Sequence, residues 1–211
     1  MRESPAPAPA PSVEVPVARE GRAFQLVPEE SLLTILVFRG GALAKAGHNH
    51  VIAARTMRGT AWVPESTSAA SFEVHVPVAD FTIDEPELRA LEGPDFSAAV
   101  PDSAREGTKK NMLSENMLDG ARFPEIVLSS QHIEVASDGS MQAQIGVTVR
   151  GQTHAVMTPL RYELKGNEVR AQGELRLKQT DLGLTPFSLL AGALRVEDEM
   201  TVKFSVLARA P

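Results

Sequence analysis

The sequence predicts an all-β protein: an antiparallel eight-stranded barrel with a helical insertion over about residues 84–119 covering one end. Three observations predict it. Apolar residues recur with a period of two over most of the chain from residue 31, as in strands with one dry and one wet face. The later segments are joined by short links of turn residues, so successive strands are antiparallel neighbours. Eight such meandering strands remove their exposed edges by closing on themselves.

The elements follow in order. Residues 1–20, MRESPAPAPAPSVEVPVARE, alternate Ala and Pro, lose backbone donors and read as a disordered linker ahead of a barrel domain at 21–211. They contain no apolar h-region, so no signal peptide is expected here. They fit either the native tail of a cytoplasmic protein or the spacer of an exported one. Residues 31–39 form a nearly continuous apolar run, suited to a strand buried on one face and part-covered on the other. Residues 48–63 and 71–79 alternate, with Phe72, Val74 and Val76 set against Glu73, His75 and Pro77. Strands at 126–136, 140–150, 154–164, 167–179 and 196–208 complete the eight. Ser137-Asp138-Gly139, Arg150-Gly151-Gln152 and Lys165-Gly166-Asn167 supply turns between them.

Residues 80–125 break the pattern. Asp84 reads as an N-cap, with Pro86 in the first turn and Glu87 three residues on. Ser103 to Glu106 reads as a second capping box leading into a helix that Gly120 ends. Met112, Leu113, Met117 and Leu118 would share one face of that helix, as core packing or as soft lid contacts for a flexible ligand.

Composition excludes several classes. The chain has 211 residues, 21 Lys+Arg against 27 Asp+Glu and a net charge of −6, which argues against nucleic-acid binding and a polybasic membrane patch. No apolar run is long enough for a spanning helix. Without cysteine there are no disulfides, thiolate metal sites or Cys nucleophile. Aromatic residues are only 5%, so aliphatic side chains must fill the interior or leave part of it empty. The faces opposite the charges carry small residues, among them Gly59, Ala61, Ala143, Ala171 and Gly173. An apolar ligand cavity is expected, bounded by Phe72, Val74, Val76, Ala143, Ile145, Val147, Ala171, Gly173 and Leu175. The alternative is that Gly and Ala accommodate bulky neighbours or strand bending.

The motifs now in view resemble the YceI-like family of polyisoprenoid-binding, lipocalin-like proteins. Residues 57–62, MRGTAW, look like the family's V-x-G-x-F strand. Residues 111–119, NMLSENMLD, with Phe123-Pro124-Glu125-Ile126, resemble its helix and F-P-x-I strand start. Residues 146–153, GVTVRGQT, look like its L-T-I-R-G-x-T hairpin, and residues 179–184, QTDLGL, are similar to its R-x-D-F-G-I turn. The likeness spans about residues 24–208. It implies a lipocalin-like barrel holding a long lipid, such as a polyisoprenoid or isoprenoid quinone, by non-covalent sequestration or transport. It also implies a periplasmic or otherwise exported location, without excluding the cytoplasm. No cofactor is expected, and the oligomeric state stays open, a homodimer included.

The chain departs from the family pattern at three places: residues 44–52, AKAGHNHVI, replace its first turn and F-x-V-x-H strand, Leu182 stands where an aromatic is common, and the lid segment from Gly93 to Gly107 is longer than usual. On an extended chain His48 and His50 share a face. They could be structural, a polar ligand contact at the barrel rim, or the start of a metal site. A third ligand would have to come from His75, His132, His154 or a carboxylate, and no spacing nominates one. A metal-dependent hydrolase using His48 and His50 is therefore the alternative function, and a non-lipid interaction module a further one. Nucleophile-elbow, phosphate-loop and zinc-helix motifs are absent from the sequence.

Overall fold

The computed structural model describes residues 19–64, 70–135 and 140–211. Among the described residues the strands are β1 (Arg22–Leu26), β2 (Leu32–Gly40), β3 (His50–Ala54), β4 (Arg58–Val63), β5 (Ser71–Pro77) and β6 (Thr82–Ile83). Two helices follow, α1 (Pro86–Leu91) and α2 (Asp102–Leu113). Then come β7 (Glu125–Val135), β8 (Met141–Val149), β9 (Gln152–Lys165), β10 (Glu168–Lys178), β11 (Ser188–Leu189) and β12 (Leu194–Arg209). The sheet runs β1-β4-β5-β7-β8-β9-β10-β12, and β12 returns to β1 through Gln25↔Arg209 and Leu26↔Ala208. All pairings are antiparallel, so the eight-stranded barrel is closed.

The extra strands leave the eight staves intact. β12 gives one edge to β10 and the other to β2 and then β1, so β1 and β2 form one stave, interrupted at Pro28–Glu30. β3 pairs with β2, and β4 pairs with β1, as two halves of the single strand expected at 48–63. The break falls at Arg55, Thr56 and Met57. There the Arg55 guanidinium donates to Glu85, and Thr56 Oγ1 donates to Asp80 Oδ2. These bonds turn the stave while Met57 stays buried. The expected linker at 1–20 and the turn at 137–139 fall largely outside the described residues.

The turn chemistry works as read where it is described. Val149 pairs with Gln152, leaving Arg150 (φ 51°) and Gly151 (φ 73°) as a two-residue primed turn that matches strand twist. The helical insertion differs from expectation. Asp84 caps no helix; α1 starts at Pro86 after Glu85, and Asp84 is fully buried in another role. α2 begins at Asp102 without a side-chain cap, so the Ser103–Glu106 box is not used. It ends at Leu113 and not at Gly120. Ser114 Oγ donates to the Asn111 carbonyl, and the chain leaves the helix with Ser114 extended, as short polar side chains favour. Met117 and Leu118 then lie in the following turn, where Leu118 N–H donates back to Met112 O.

The apolar interior has three parts. The main cluster fills the barrel around Met57, Val76, Phe81 and Met200. A second, with Phe24, Val63, Val169 and Ala208, lies toward the end opposite the helices. A third lies outside the barrel wall, where Leu88 and Phe96 cover Leu36, Val51 and Ala53. That third cluster explains the continuous apolar run at 31–39: β2 is covered on both faces.

Candidate functional site

The barrel contains a cavity of about 300 Å³. Among the described residues its wall contains no charged residue. Along β10 it extends from Val169 to Gln179, about 33 Å of strand. With the usual strand tilt this is about 25 Å of barrel axis. A volume of about 300 Å³ drawn out over that length is a narrow tunnel suited to one chain. Met112, Met117, Phe81 and Leu182 line the helix-covered end; Val63, Tyr162, Val169 and Ala208 line the other.

Of the residues singled out in the sequence, Phe72, Val74, Val76, Met112, Met117, Ile145, Val147, Ala171 and Leu175 lie on the cavity wall. Leu113 packs against the core without reaching that wall. Ala143 is fully buried but does not line the cavity. Gly173 is a close-approach position. A Cβ there would stand 2.4 Å from the Pro159 carbonyl oxygen and 2.6 Å from Phe204 Cζ, so the missing side chain makes room for neighbours and not for a ligand.

His48 and His50 are not on the cavity wall. Their rings are 6.1 Å apart. His50 Nδ1 lies 2.6 Å from Asp84 Oδ2, and its Nε2 stands 3.3 Å from Thr108 Oγ1 on α2. Asp84 Oδ1 accepts from the Val51 N–H and from Arg89. Arg89 also donates to the carbonyls of Asn49 and Ala98. Asn49 accepts from the Arg39 N–H and donates to the Asp95 carbonyl. The Gly-His-Asn-His segment is thus a clasp joining β2, β3, α1 and α2. Burial pushes the Asp84 carboxyl up, but the hydrogen bonds from His50, Val51 and Arg89 outweigh it and hold the group below its ordinary range. Asp84 is therefore an anion, held by a buried guanidinium and an imidazole.

Among the described residues no group of three or more His, Asp or Glu side chains is placed to hold one metal ion. His75 is engaged elsewhere, between Glu73 and Glu125.

Sequence reasoning passed over Tyr162. Its ring lines the tunnel, and its buried hydroxyl has no hydrogen-bond partner. Burial raises its pKa, so the phenol keeps its proton. In the barrel it pairs with Ala171, and directly opposed residues share a face.

Comparison with known proteins places this architecture. A YceI-like domain model matches residues 25–208. The chain belongs to the YceI-like family. No curated protein matches it. Among solved structures, Burkholderia cenocepacia BcnA is similar, with a TM-score of 0.63 and 15% identity over 87% of this chain and 99% of that one. A polyisoprenoid binding domain from Saccharophagus degradans, implicated in plant cell wall breakdown, aligns with a TM-score of 0.56 and 12% identity, covering 90% and 99%. The YCEI protein of Campylobacter jejuni has a TM-score of 0.53 and 9% identity, covering 75% and 83%. At these identities the likeness concerns the fold.

The YceI-like motifs fall on structural joints of the barrel. Phe123 packs beside Gly151 at the β8–β9 hairpin, next to the start of β7. The turn at 179–184 closes over the end of the barrel: Gly183 takes φ 69°, and Leu182 and Leu184 line the tunnel. Asp198 accepts from the Thr180 N–H and hydroxyl, which fixes that turn to β12 and holds the carboxyl below its ordinary range.

Proposed function

We propose that this YceI-like protein binds one long apolar chain, of polyisoprenoid or isoprenoid-quinone type, non-covalently in its tunnel. The observation that carries the reading is the continuous wall, uncharged among the described residues, that extends along the barrel. The description of the Saccharophagus degradans domain as polyisoprenoid-binding supports the ligand class. The physical drive is large: each buried methylene contributes about 0.8 kcal/mol, so a multi-unit chain needs no catalytic group to be held. Tyr162 offers the one unpartnered donor of the described lumen wall, and it suits a carbonyl, hydroxyl or phosphate oxygen at the buried end of the chain. Sequestration or transport follows from such binding, and an exported, periplasmic setting is part of the proposal.

Native mass spectrometry of protein from its own host, followed by organic extraction, tests it. The expected result is a one-to-one adduct whose mass matches an isoprenoid lipid. Protein that carries no lipid and fails to bind an added prenyl alcohol would overturn the reading.

A further inference from the structure

The barrel wall has a seam. β9 and β10 are paired only from Glu168↔Lys165 to Gln172↔Arg161. β9 nevertheless continues back to Gln152 and β10 on to Lys178. Each stays fully paired on its other edge over that stretch, β9 with β8 and β10 with β12. The ladder stops where Gly173 meets the carbonyl of Pro159, a residue that has no N–H to donate. Below that point no ladder pair joins the two strands. Opening there breaks no ladder hydrogen bond, whereas opening the β8–β9 or β10–β12 boundaries would break many.

The outer face beside the seam is also unusual. The outward positions of β10 are Arg170, Gln172, Glu174 and Arg176, as water requires. On β9 the outward, exposed positions along the unpaired stretch are Thr153, Ala155, Met157 and Pro159, the last three apolar, and Met157 is 51% exposed. On the inner side, Val156, Thr158, Leu175 and Leu177 belong to the tunnel wall. Apolar surface therefore continues from the lumen, through a boundary without rungs, to the outside. At the foot of the seam the Gly183 turn packs against His154, whose buried Nε2 has no partner.

We propose that the β9–β10 seam is a lateral portal through which the apolar chain enters and leaves the tunnel. The proposal rests on the lipid-binding reading above and adds the route. The clasped helical end stays shut during exchange, because His50, Asp84 and Arg89 tie it to the wall. Side chains close the seam at rest, since Thr158 is buried, and their displacement admits the hydrocarbon.

The chain has no cysteine, so a single introduced thiol can be modified alone. Met157→Cys is coupled to a bulky polyethylene-glycol maleimide, and Arg58→Cys, on the opposite wall, carries the same adduct. Uptake and release of a dansyl-labelled prenyl alcohol from lipid vesicles are timed, and its equilibrium affinity is measured separately. The adduct at 157 is expected to slow both rates by about tenfold or more while leaving the affinity nearly unchanged. The adduct at 58 is expected to leave both rates near those of the unmodified protein. Met157→Glu, which needs no labelling, is expected to slow exchange in the same direction. Wild-type rates with the 157 adduct and with Met157→Glu, or equal slowing by both adducts, would overturn the portal while leaving lipid binding intact. Absence of probe binding by the unmodified protein would overturn the lipid reading, and the portal with it.

Discussion

Asp84 shows how much one side chain can hold. Its carboxylate is fully buried, sits on a backbone with φ 56°, and receives His50, the Val51 N–H and Arg89. Asp84→Asn leaves the Arg89 guanidinium buried without its counter-charge, a loss of about 3–5 kcal/mol. The expected result is a melting temperature lower by about 10 °C, read by circular dichroism. The pH dependence follows from the sign of the shift. The folded pKa lies below the ordinary 3.8, so the stabilisation is complete above that value and is lost as pH falls through the depressed one. The stability gap between wild type and Asp84→Asn should therefore be constant at neutral pH and shrink below about pH 3.8. Tyr162 gives the converse case. Tyr162→Phe removes a buried hydroxyl with no partner, so the lipid-free protein should gain about 1 kcal/mol in a denaturant titration. The same variant should bind a prenyl alcohol several-fold more weakly if the buried end of the chain meets that hydroxyl, and unchanged affinity would remove Tyr162 from the site. Neither role could be read from the sequence. A buried carboxylate is held by partners 34 and 5 positions away through the fold, and an orphan hydroxyl is a property of packing.

At the level of elements, alternation carried most of the information. Phe72, Val74 and Val76 on β5 and Ile145 and Val147 on β8 face the tunnel because a one-residue slip would bury charged or polar neighbours. β1 was passed over because only five residues precede the Pro28 break, too few to display a period. β6 and β11 have two residues each and no period at all. Small residues were ambiguous for a physical reason: a missing side chain looks the same in sequence whether it leaves space or yields it to a neighbour. Ala171 lines the tunnel, whereas Gly173 makes way for Pro159 and Phe204. The two positions therefore separate experimentally. Ala171→Phe should fold, with about 1–3 kcal/mol of overpacking, and should lose prenyl-alcohol binding because its ring enters the lumen. Gly173→Phe places its Cβ against a backbone oxygen that cannot rotate away, and should fail to give folded protein. Gel filtration and lipid binding on the two variants check both outcomes.

For the whole molecule, the tunnel makes stability depend on what fills it. An eight-stranded barrel has an interior that side chains can just fill or that can hold one small ligand. Here, with 5% aromatic residues, a core of aliphatic residues leaves about 300 Å³ between its walls. Atoms lining such a void lack partners on one side and forgo dispersion contacts. A hydrocarbon chain supplies those contacts without displacing any hydrogen bond, because the described wall bears no charge and most of its few polar groups are bonded elsewhere, as Gln179 is to the Glu197 carbonyl. The bound lipid therefore acts as the missing part of the core, and only the folded state holds it. At a free concentration of about 100 times Kd, such a ligand stabilises by about 2.7 kcal/mol. For a domain of this length, that is a rise of about 5–10 °C in melting temperature. Protein stripped of lipid in organic solvent and refolded should melt lower by that amount, and adding a prenyl alcohol should restore the higher value. The gain should change little between low and high salt, since no ion pair is made on binding. A melting temperature indifferent to the lipid would mean that the tunnel closes on itself when empty. A gain that vanished in high salt would place the ligand on the charged exterior of the barrel.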